Sequence, residues 1–206
     1  MKKIVAASLS VLIALGIGVR IWYVNTHVDP MFTPPETEVY QMGEWIELAG
    51  DFQYSAYENT NGYSVKMEDI EFMSPEEYSE KYDIDLSLFR LGPNGEMPES
   101  VADVTLNFRN TDNLDGYIQF VYYRLYSDSD LRSFTPLASV NAVLHPEMDE
   151  QLGFMIYPGT ESGPNHFCLV SGVEMSGTVY GNYKHFPKYL QISMTPTRKV
   201  IEIPEK

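Results

Sequence analysis

The first hydrophobic pattern along the chain is a continuous apolar run. Lys2 and Lys3 precede an uncharged stretch over residues 4–19, and the apolar side chains continue after Arg20 to residue 24. As a helix, residues 4–24 extend roughly 31 Å, which is enough to cross a bilayer. Residues 1–24 are therefore predicted to be a transmembrane anchor or a cleaved signal peptide. The two lysines place the rest of the chain outside the membrane, and the lack of a clear A-x-A cleavage site favours the anchor.

The next segment, residues 25–43, has a different composition. It is polar and contains Pro30, Pro34 and Pro35, which favour an extended chain without a core of its own. This segment is predicted to be a linker between the anchor and a domain formed by residues 44–206.

From residue 44 onward, apolar and polar positions mostly alternate with a period of two, as in half-buried strands. The clearest case is residues 102–108, and a change of phase within residues 63–72 predicts a bulge near Asp69. Further strands are predicted over residues 117–126, 137–144, 153–157, 166–170, 189–194 and 199–203. Roughly nine or ten short strands separated by turn residues predict a mainly β fold, an immunoglobulin-like antiparallel β-sandwich.

One short helix is expected to be inserted among these strands. Ser74, Pro75 and Glu77 have the spacing of a capping box with proline in the first helical position. Alternation returns after Tyr82, so the helix is expected to end there.

The net charge of the chain excludes some classes of binding partner. The chain has 29 acidic and 14 basic side chains, and residues 1–24 contain three of the basic ones and none of the acidic ones. The remainder therefore carries a net charge of −18. A nucleic-acid-binding protein needs a basic face, so this composition argues against that class. The single cysteine, Cys168, permits no intramolecular disulfide, which suits an exported protein of a Gram-positive envelope.

A metal site is one candidate for function. Asp112 and Asp115 lie in a polar loop that resembles a calcium loop but lacks the EF-hand spacing. Weak calcium binding and a plain hairpin turn both remain open for this loop. The cluster around His145, Glu147 and Asp149 has too few ligands for a zinc site and is expected to be a solvated loop.

Catalytic motifs are absent from the sequence. It contains no G-x-S-x-G elbow and no Walker or Rossmann glycine pattern. Cys168 alternates with apolar neighbours and is expected to be a small buried hydrophobe rather than a reactive thiol. No enzymatic activity and no cofactor other than weakly bound calcium is expected.

Residues 180–189 combine aromatic and basic side chains in an otherwise acidic chain. Such side chains on a loop are typical of binding surfaces, although the rings could simply cover one end of the sandwich. The predicted binding residues are Tyr180, Tyr183, Lys184, His185, Phe186 and Lys188.

Several motifs over residues 40–205 resemble a family. They are Met42-Gly-Glu-Trp-Ile-Glu47, Gly62-Tyr-Ser-Val-Lys66 with Glu71-Phe72, Val101-Ala-Asp-Val-Thr-Leu-Asn-Phe-Arg-Asn110, Tyr157-Pro-Gly-Thr-Glu161 leading to Phe167, and Leu190-Gln-Ile-Ser-Met194 near Pro196. They resemble an exported Gram-positive family known as a domain of unknown function (number 5028), and are similar to a wider immunoglobulin-like envelope family (number 4352). The resemblance implies an immunoglobulin-like sandwich outside the membrane, and no activity.

We therefore expect a non-catalytic binding or accessory module, held at the outer face of the cell membrane by residues 4–24, or secreted after cleavage. Its expected partner is an envelope or membrane protein of unknown identity. A calcium-binding or metal-sensing domain is the alternative, and an envelope hydrolase is less well supported by the sequence.

Overall fold

A computed structural model gives the fold of most of the chain. The described residues are 35–54, 58–127, 130–149, 152–171 and 187–204, together with Ile17, Val19 and Arg20. The chain divides into two compact units, Met1–Pro34 and Pro35–Lys206, and only the second is described at length.

The three described residues of the first unit are helical. The other residues of the predicted anchor or signal segment lie outside the described part of the chain. Within the described part, no helix has the length and apolar character needed to cross a bilayer.

The second unit consists mainly of strands, which confirms the predicted mainly β class. In chain order the described strands are β1 (Thr37–Gln41), β2 (Ile46–Glu47), β3 (Tyr63–Met73), β4 (Val101–Asn110), β5 (Ile118–Gln119), β6 (Arg124–Ser127), β7 (Asp130–Pro136), β8 (Gly153–Phe154), β9 (Thr160–Glu161), β10 (Asn165–Ser171), β11 (Tyr189–Gln191) and β12 (Arg198–Glu202). Two α-helices are described, α1 (Pro75–Tyr82) and α2 (Ala138–Leu144). Two 3₁₀ turns, Leu86–Phe89 and Phe120–Tyr122, complete the elements.

Ten of the strands form one sheet that nearly closes on itself. Its order is β1-β12-β11-β6-β7-β10-β4-β3-β2, with β9 paired to β4, and β5 and β8 form a separate small sheet. All strand pairs are antiparallel except β1 with β12, which is parallel. An isolated antiparallel bridge between Phe52 and Thr195 joins the chain after β2 to the chain after β11. The β2 end of the sheet therefore meets the chain between β11 and β12, close to the other end.

The buried side chain of Lys199 stabilises this closure. Its Nζ lies 2.8 Å from Asp51 Oδ2 and donates hydrogen bonds to the carbonyl oxygens of Glu47 at 2.6 Å and Leu48 at 3.1 Å. Lys199 and Asp51 are both buried. Because a buried charge is costly without partners, this lysine links β12 to the chain that follows β2.

The apolar side chains form two cores on opposite faces of the sheet. The larger core takes side chains from most of the strands, among them Val65, Leu106 and Ile201. The smaller core lies under α1 and α2 and includes Tyr78 and Val140.

Local signals predicted two features of this fold correctly. The bulge near Asp69 is confirmed, since the β3–β4 register shifts between Met67 and Asp69. The capping box of α1 is also confirmed. The Glu77 backbone N–H donates to Ser74 Oγ at 3.1 Å, and the Ser74 backbone N–H donates to Glu77 Oε2 at 2.7 Å.

The strand predicted over residues 137–144 is wrong, because these residues form α2. Their apolar side chains also fit a helical face, and Val140 and Asn141 are buried on it. Asn141 donates through Nδ2 to the Cys168 carbonyl at 2.7 Å and accepts from the Cys168 N–H at 2.9 Å. These two bonds attach the helix to β10. The expectation of a single inserted helix is therefore also wrong, since two α-helices are described.

The long strand predicted over residues 117–126 is wrong as well. The chain forms β5, then the 3₁₀ turn Phe120–Tyr122, and then β6. Phe120 and Tyr123 are both buried, and the Tyr123 N–H donates to the Phe120 carbonyl at 2.9 Å. Residues three positions apart point to opposite faces of a strand, but they lie on the same side of a 3₁₀ turn. The turn therefore interrupts the strand so that both rings are buried.

The sheet also includes part of the predicted linker. Residues 37–41, within the interval 25–43, form β1 and pair with residues 198–202 of β12.

Candidate functional site

An open cleft of about 300 Å³ lies beside the small sheet. Met148, Phe154 and Phe167 form an apolar floor, and Glu147, Tyr157 and Glu161 are among its polar lining residues. We call this the 147–167 cleft. The cleft brings together the chain that follows α2, the chain between β8 and β9, and the start of β10.

The apolar floor is held rigidly by ring packing. Phe154 packs edge-to-face on Phe108 with ring centroids 4.9 Å apart. Phe167 lies 4.2 Å from the centroid of Phe120 and stacks against His145 at 4.5 Å. Such contacts contribute beyond simple burial and fix the ring positions. The shape of the floor is therefore set by the core beneath it.

A tight turn presents Tyr157 at the side of the cleft. The Thr160 N–H and Oγ1 both donate to the Tyr157 carbonyl, at 3.2 Å and 2.6 Å, and Gly159 adopts a φ of 75°. The Gly159 N–H donates to the Asn110 carbonyl at 2.8 Å, which attaches the turn to β4. The Tyr157 ring is nevertheless 85% exposed, and the nearby Met155 is 62% exposed. An ordered backbone thus holds two large side chains in solvent.

The electrostatic character of the cleft is acidic. Glu147 and Glu161 are exposed, and neither a lysine nor an arginine is found among the described lining residues. His145 Nδ1 lies 3.5 Å from Glu147 Oε1, while its Nε2 lies 2.8 Å from the His166 carbonyl oxygen. In the described part of the chain, Glu161 has no ion-pair partner. The cleft therefore offers two carboxylates above an apolar floor.

A second polar group, the Asp103 cluster (Lys81, Tyr82, Asp103 and His166), lies on the outer face of β4. Asp103 Oδ2 accepts from Lys81 Nζ at 2.8 Å and from Tyr82 OH at 2.6 Å. Its Oδ1 lies 3.2 Å from His166 Nδ1. Burial and the hydrogen bond to Asp103 raise the pKa of Tyr82, so the phenol remains a donor. The cluster attaches the end of α1 to the sheet.

The Asp103 cluster resembles a catalytic set only superficially. Thr105 Oγ1 lies 3.2 Å from His166 Nδ1, the same ring nitrogen that contacts Asp103. A proton relay of the Ser-His-Asp type needs the hydroxyl and the carboxylate on different ring nitrogens. The arrangement is therefore a clamp rather than a nucleophile with its base.

The sequence did not indicate that the residues of the 147–167 cleft or those of the Asp103 cluster come together. The cleft combines segments that are far apart along the chain, and Asp103 was predicted only as a polar position of a half-buried strand. For the cleft, the motif Tyr157-Pro-Gly-Thr-Glu161 was a usable signal of a turn, because proline and glycine together favour one, and turns lie at the surface.

Most of the predicted binding stretch lies outside the described residues. This holds for Tyr180, Tyr183, Lys184, His185 and Phe186. Of the six predicted binding residues, only Lys188 is described. Its Nζ lies 5.3 Å from the centre of the Tyr189 ring and 4.0 Å from Glu202 Oε1. The binding role of residues 180–188 stays a prediction.

The predicted calcium residues, Asp112 and Asp115, are exposed. Their loop is organised by two asparagines. Asn110 Nδ2 donates to the Asn113 carbonyl at 2.7 Å, and Asn113 Nδ2 donates to the Asn61 carbonyl at 2.7 Å. Across the described ranges, no group of three or more His, Cys, Asp or Glu side chains is placed to hold a metal ion. Calcium binding here stays a prediction, and a rise of the melting temperature in millimolar calcium would support it.

Cys168 is buried, as expected from its apolar neighbours. Burial, with a further contribution from Asp103, raises the pKa of its thiol well above the usual value. His145 and Asp149 do not share a ligand site. His145 is buried, and Asp149 accepts hydrogen bonds from the Tyr117 hydroxyl and from the Gly153 N–H.

Comparison with known proteins gives one finding. No curated protein and no solved structure matches the chain. A family model described as Domain of unknown function (DUF5028) matches residues 37–199, which include all the described strands up to the start of β12. The match covers well over half of the chain, and the protein therefore belongs to the DUF5028 family.

Proposed function

We propose that the protein is a non-catalytic binding module, and that the 147–167 cleft takes a segment of a partner protein of the cell envelope. The observation that carries this proposal is the exposure of Tyr157 and Met155 on an ordered backbone beside an apolar floor. Tyrosine and methionine are enriched in protein interfaces, where large side chains supply contact area. A fixed turn that keeps them in solvent favours binding without a large rearrangement.

The location of the module is part of the same proposal. Residues 4–24 anchor it in the membrane as a single pass with the domain outside, or are cleaved so that the domain is secreted. The charge pattern of the first 24 residues supports this orientation. The resemblance to exported envelope families also supports a Gram-positive envelope. The immunoglobulin-like classification belongs to this proposal as well, and antiparallel pairing of nearly all strands is the feature that the domain shares with such sandwiches.

The Asp103 cluster supports a non-catalytic role. Among the described groups, it most resembles a proton relay. However, the Thr105 hydroxyl and the Asp103 carboxylate both contact the same ring nitrogen, His166 Nδ1. An envelope hydrolase remains the alternative function, for which turnover of an envelope substrate would be the evidence.

Site-specific photo-crosslinking in the native cells tests the proposal. A photoreactive amino acid replaces Tyr157 or Met155 in the full-length protein, and adducts are identified by mass spectrometry. The matched control position is Val143, which is exposed on α2 away from the cleft lining. We expect one dominant adduct from positions 157 and 155 that is missing from position 143. Equal adducts from all three positions, or none from the cleft, would contradict the proposal.

A further inference from the structure

The chemistry of the 147–167 cleft narrows the type of segment that it can bind, provided that the proposed binding function holds. Its floor is apolar, with the rings of Phe154 and Phe167 held by the core. Burial of an apolar side chain against such a floor is favourable, because it removes apolar surface from water. One requirement on the occupant is therefore a large apolar side chain.

The carboxylates of the cleft impose a second requirement. Glu147 and Glu161 both line it, and no described lysine or arginine lies within ion-pair distance of either. When an apolar occupant displaces water from the cleft, an unpaired carboxylate loses hydration and is destabilised. A lysine or arginine of the occupant would remove this penalty and add a charge-assisted hydrogen bond.

The size of the cleft limits how much of the occupant enters it. About 300 Å³ is at the lower end of small-ligand sites, so it accommodates one or two side chains of a linear segment. The net charge of −15 for the whole chain favours the approach of a cationic segment from a distance.

We propose that the 147–167 cleft binds a linear segment that carries a lysine or arginine next to a large apolar residue. The apolar side chain lies over Met148 and Phe154 beside the exposed Met155, and the cation pairs with Glu161. This names the chemical class of the partner segment. An occupant without a positive charge would displace water from Glu161 without supplying a cation, and an occupant without an apolar side chain would leave the floor uncovered.

Synthetic peptides test this proposal on the full-length protein in detergent micelles. The probe is a fluorescent, end-blocked hexapeptide with adjacent phenylalanine and lysine among alanines. Two analogues replace the lysine by glutamine or the phenylalanine by alanine. We expect each replacement to weaken binding about tenfold at low salt, and we expect added salt to weaken only the lysine-containing peptides. Equal affinity for the lysine and glutamine peptides, or no binding of any peptide, would overturn the proposal.

Charge reversal of the protein gives the second readout. Glu161→Lys should weaken binding of the phenylalanine–lysine peptide about tenfold or more, and should lower the melting temperature by at most about 4 °C through repulsion of Arg109, its cross-strand neighbour in β4. Glu80→Lys is the matched control, because it changes the net charge equally on an exposed position of α1. Equal weakening by both variants would mean that only overall charge matters, which would also overturn the proposal.

The two proposals fail in different ways. If crosslinking from position 157 persists in the Glu161→Lys background, the binding function stands and the cationic segment is excluded. If crosslinking is missing in the unsubstituted background, the binding function itself fails.

Discussion

Replacement of Lys199 by methionine should destabilise the domain strongly, although it leaves most of the side-chain volume in place. The substitution removes the ion pair with Asp51 and the hydrogen bonds to the carbonyls of Glu47 and Leu48. Asp51 would keep its bond from the Thr197 N–H at 3.0 Å, but its charge would be buried without a cation. Loss of one partner of a buried pair costs about 3–5 kcal/mol.

The size of this effect follows from which groups lose their partners. The Leu48 carbonyl still accepts from the Asp51 N–H at 2.9 Å, so it is not left unsatisfied. Most of the loss therefore comes from Asp51, with a smaller part from the Glu47 carbonyl, and we expect a decrease of about 4 kcal/mol in the free energy of unfolding. For a domain of this size, that corresponds to a melting temperature lower by about 8–16 °C.

Urea denaturation followed by circular dichroism measures this loss. Lys188→Met is the matched control, because Lys188 is half exposed and its 4.0 Å pair with Glu202 contributes at most about 1 kcal/mol. The double variant Lys199→Met/Asp51→Asn should recover part of the stability, since it removes the buried charge. If Lys199→Met loses less than about 1 kcal/mol, or if the double variant is less stable than the single one, the buried pair does not hold the closure as described.

Three further predictions concern other groups of the domain. Asn141→Leu should lower the free energy of unfolding measured with urea by about 1–3 kcal/mol, because the buried Cys168 N–H loses its acceptor while the Cys168 carbonyl keeps the Leu137 N–H; a neutral effect would contradict this role. Burial, with the hydrogen bond to Asp149, raises the pKa of Tyr117 from 10.0 to about 12, so the fold favours the neutral phenol. The stability that this raised pKa contributes is complete below pH 10 and is lost as the pH rises toward 12. Tyr117→Phe should therefore make the decline of stability between these pH values shallower, and an unchanged pH profile of stability would refute this prediction. Cys168 should react with a thiol reagent only after unfolding, and rapid labelling of the native protein would show that β10 is less well covered than described.

Some of the fold was predictable because its signals are local. The capping residues of α1 and the phase change in β3 act within a few positions of the chain. The helix α2 was not predictable in this way, because its apolar residues fit both periods and Asn141 becomes a core residue only through Cys168 of β10. The strand β1 carries almost no hydrophobic signal, since its residues are mostly exposed and it is held by backbone pairing with β12.

The candidate site was harder to predict than the fold. An acidic residue such as Glu161 looks the same in a sequence whether its carboxylate is solvated or lies beside an apolar floor. The charge of Lys199 likewise gave no sign of burial, because its partner Asp51 is distant in the chain. In both cases the information lies in which segments meet, which depends on the closure of the whole sheet.

The pairing of β1 with β12 has a consequence for the order in which the domain assembles. A chain is synthesised from its N-terminus, so β1 emerges early but has no partner until residues 198–202 have followed. Until then the larger core stays open, and Lys199 is not yet available to neutralise Asp51. The domain therefore reaches its stable form only when synthesis has passed β12, and a chain interrupted before β12 exposes its apolar interior to proteases.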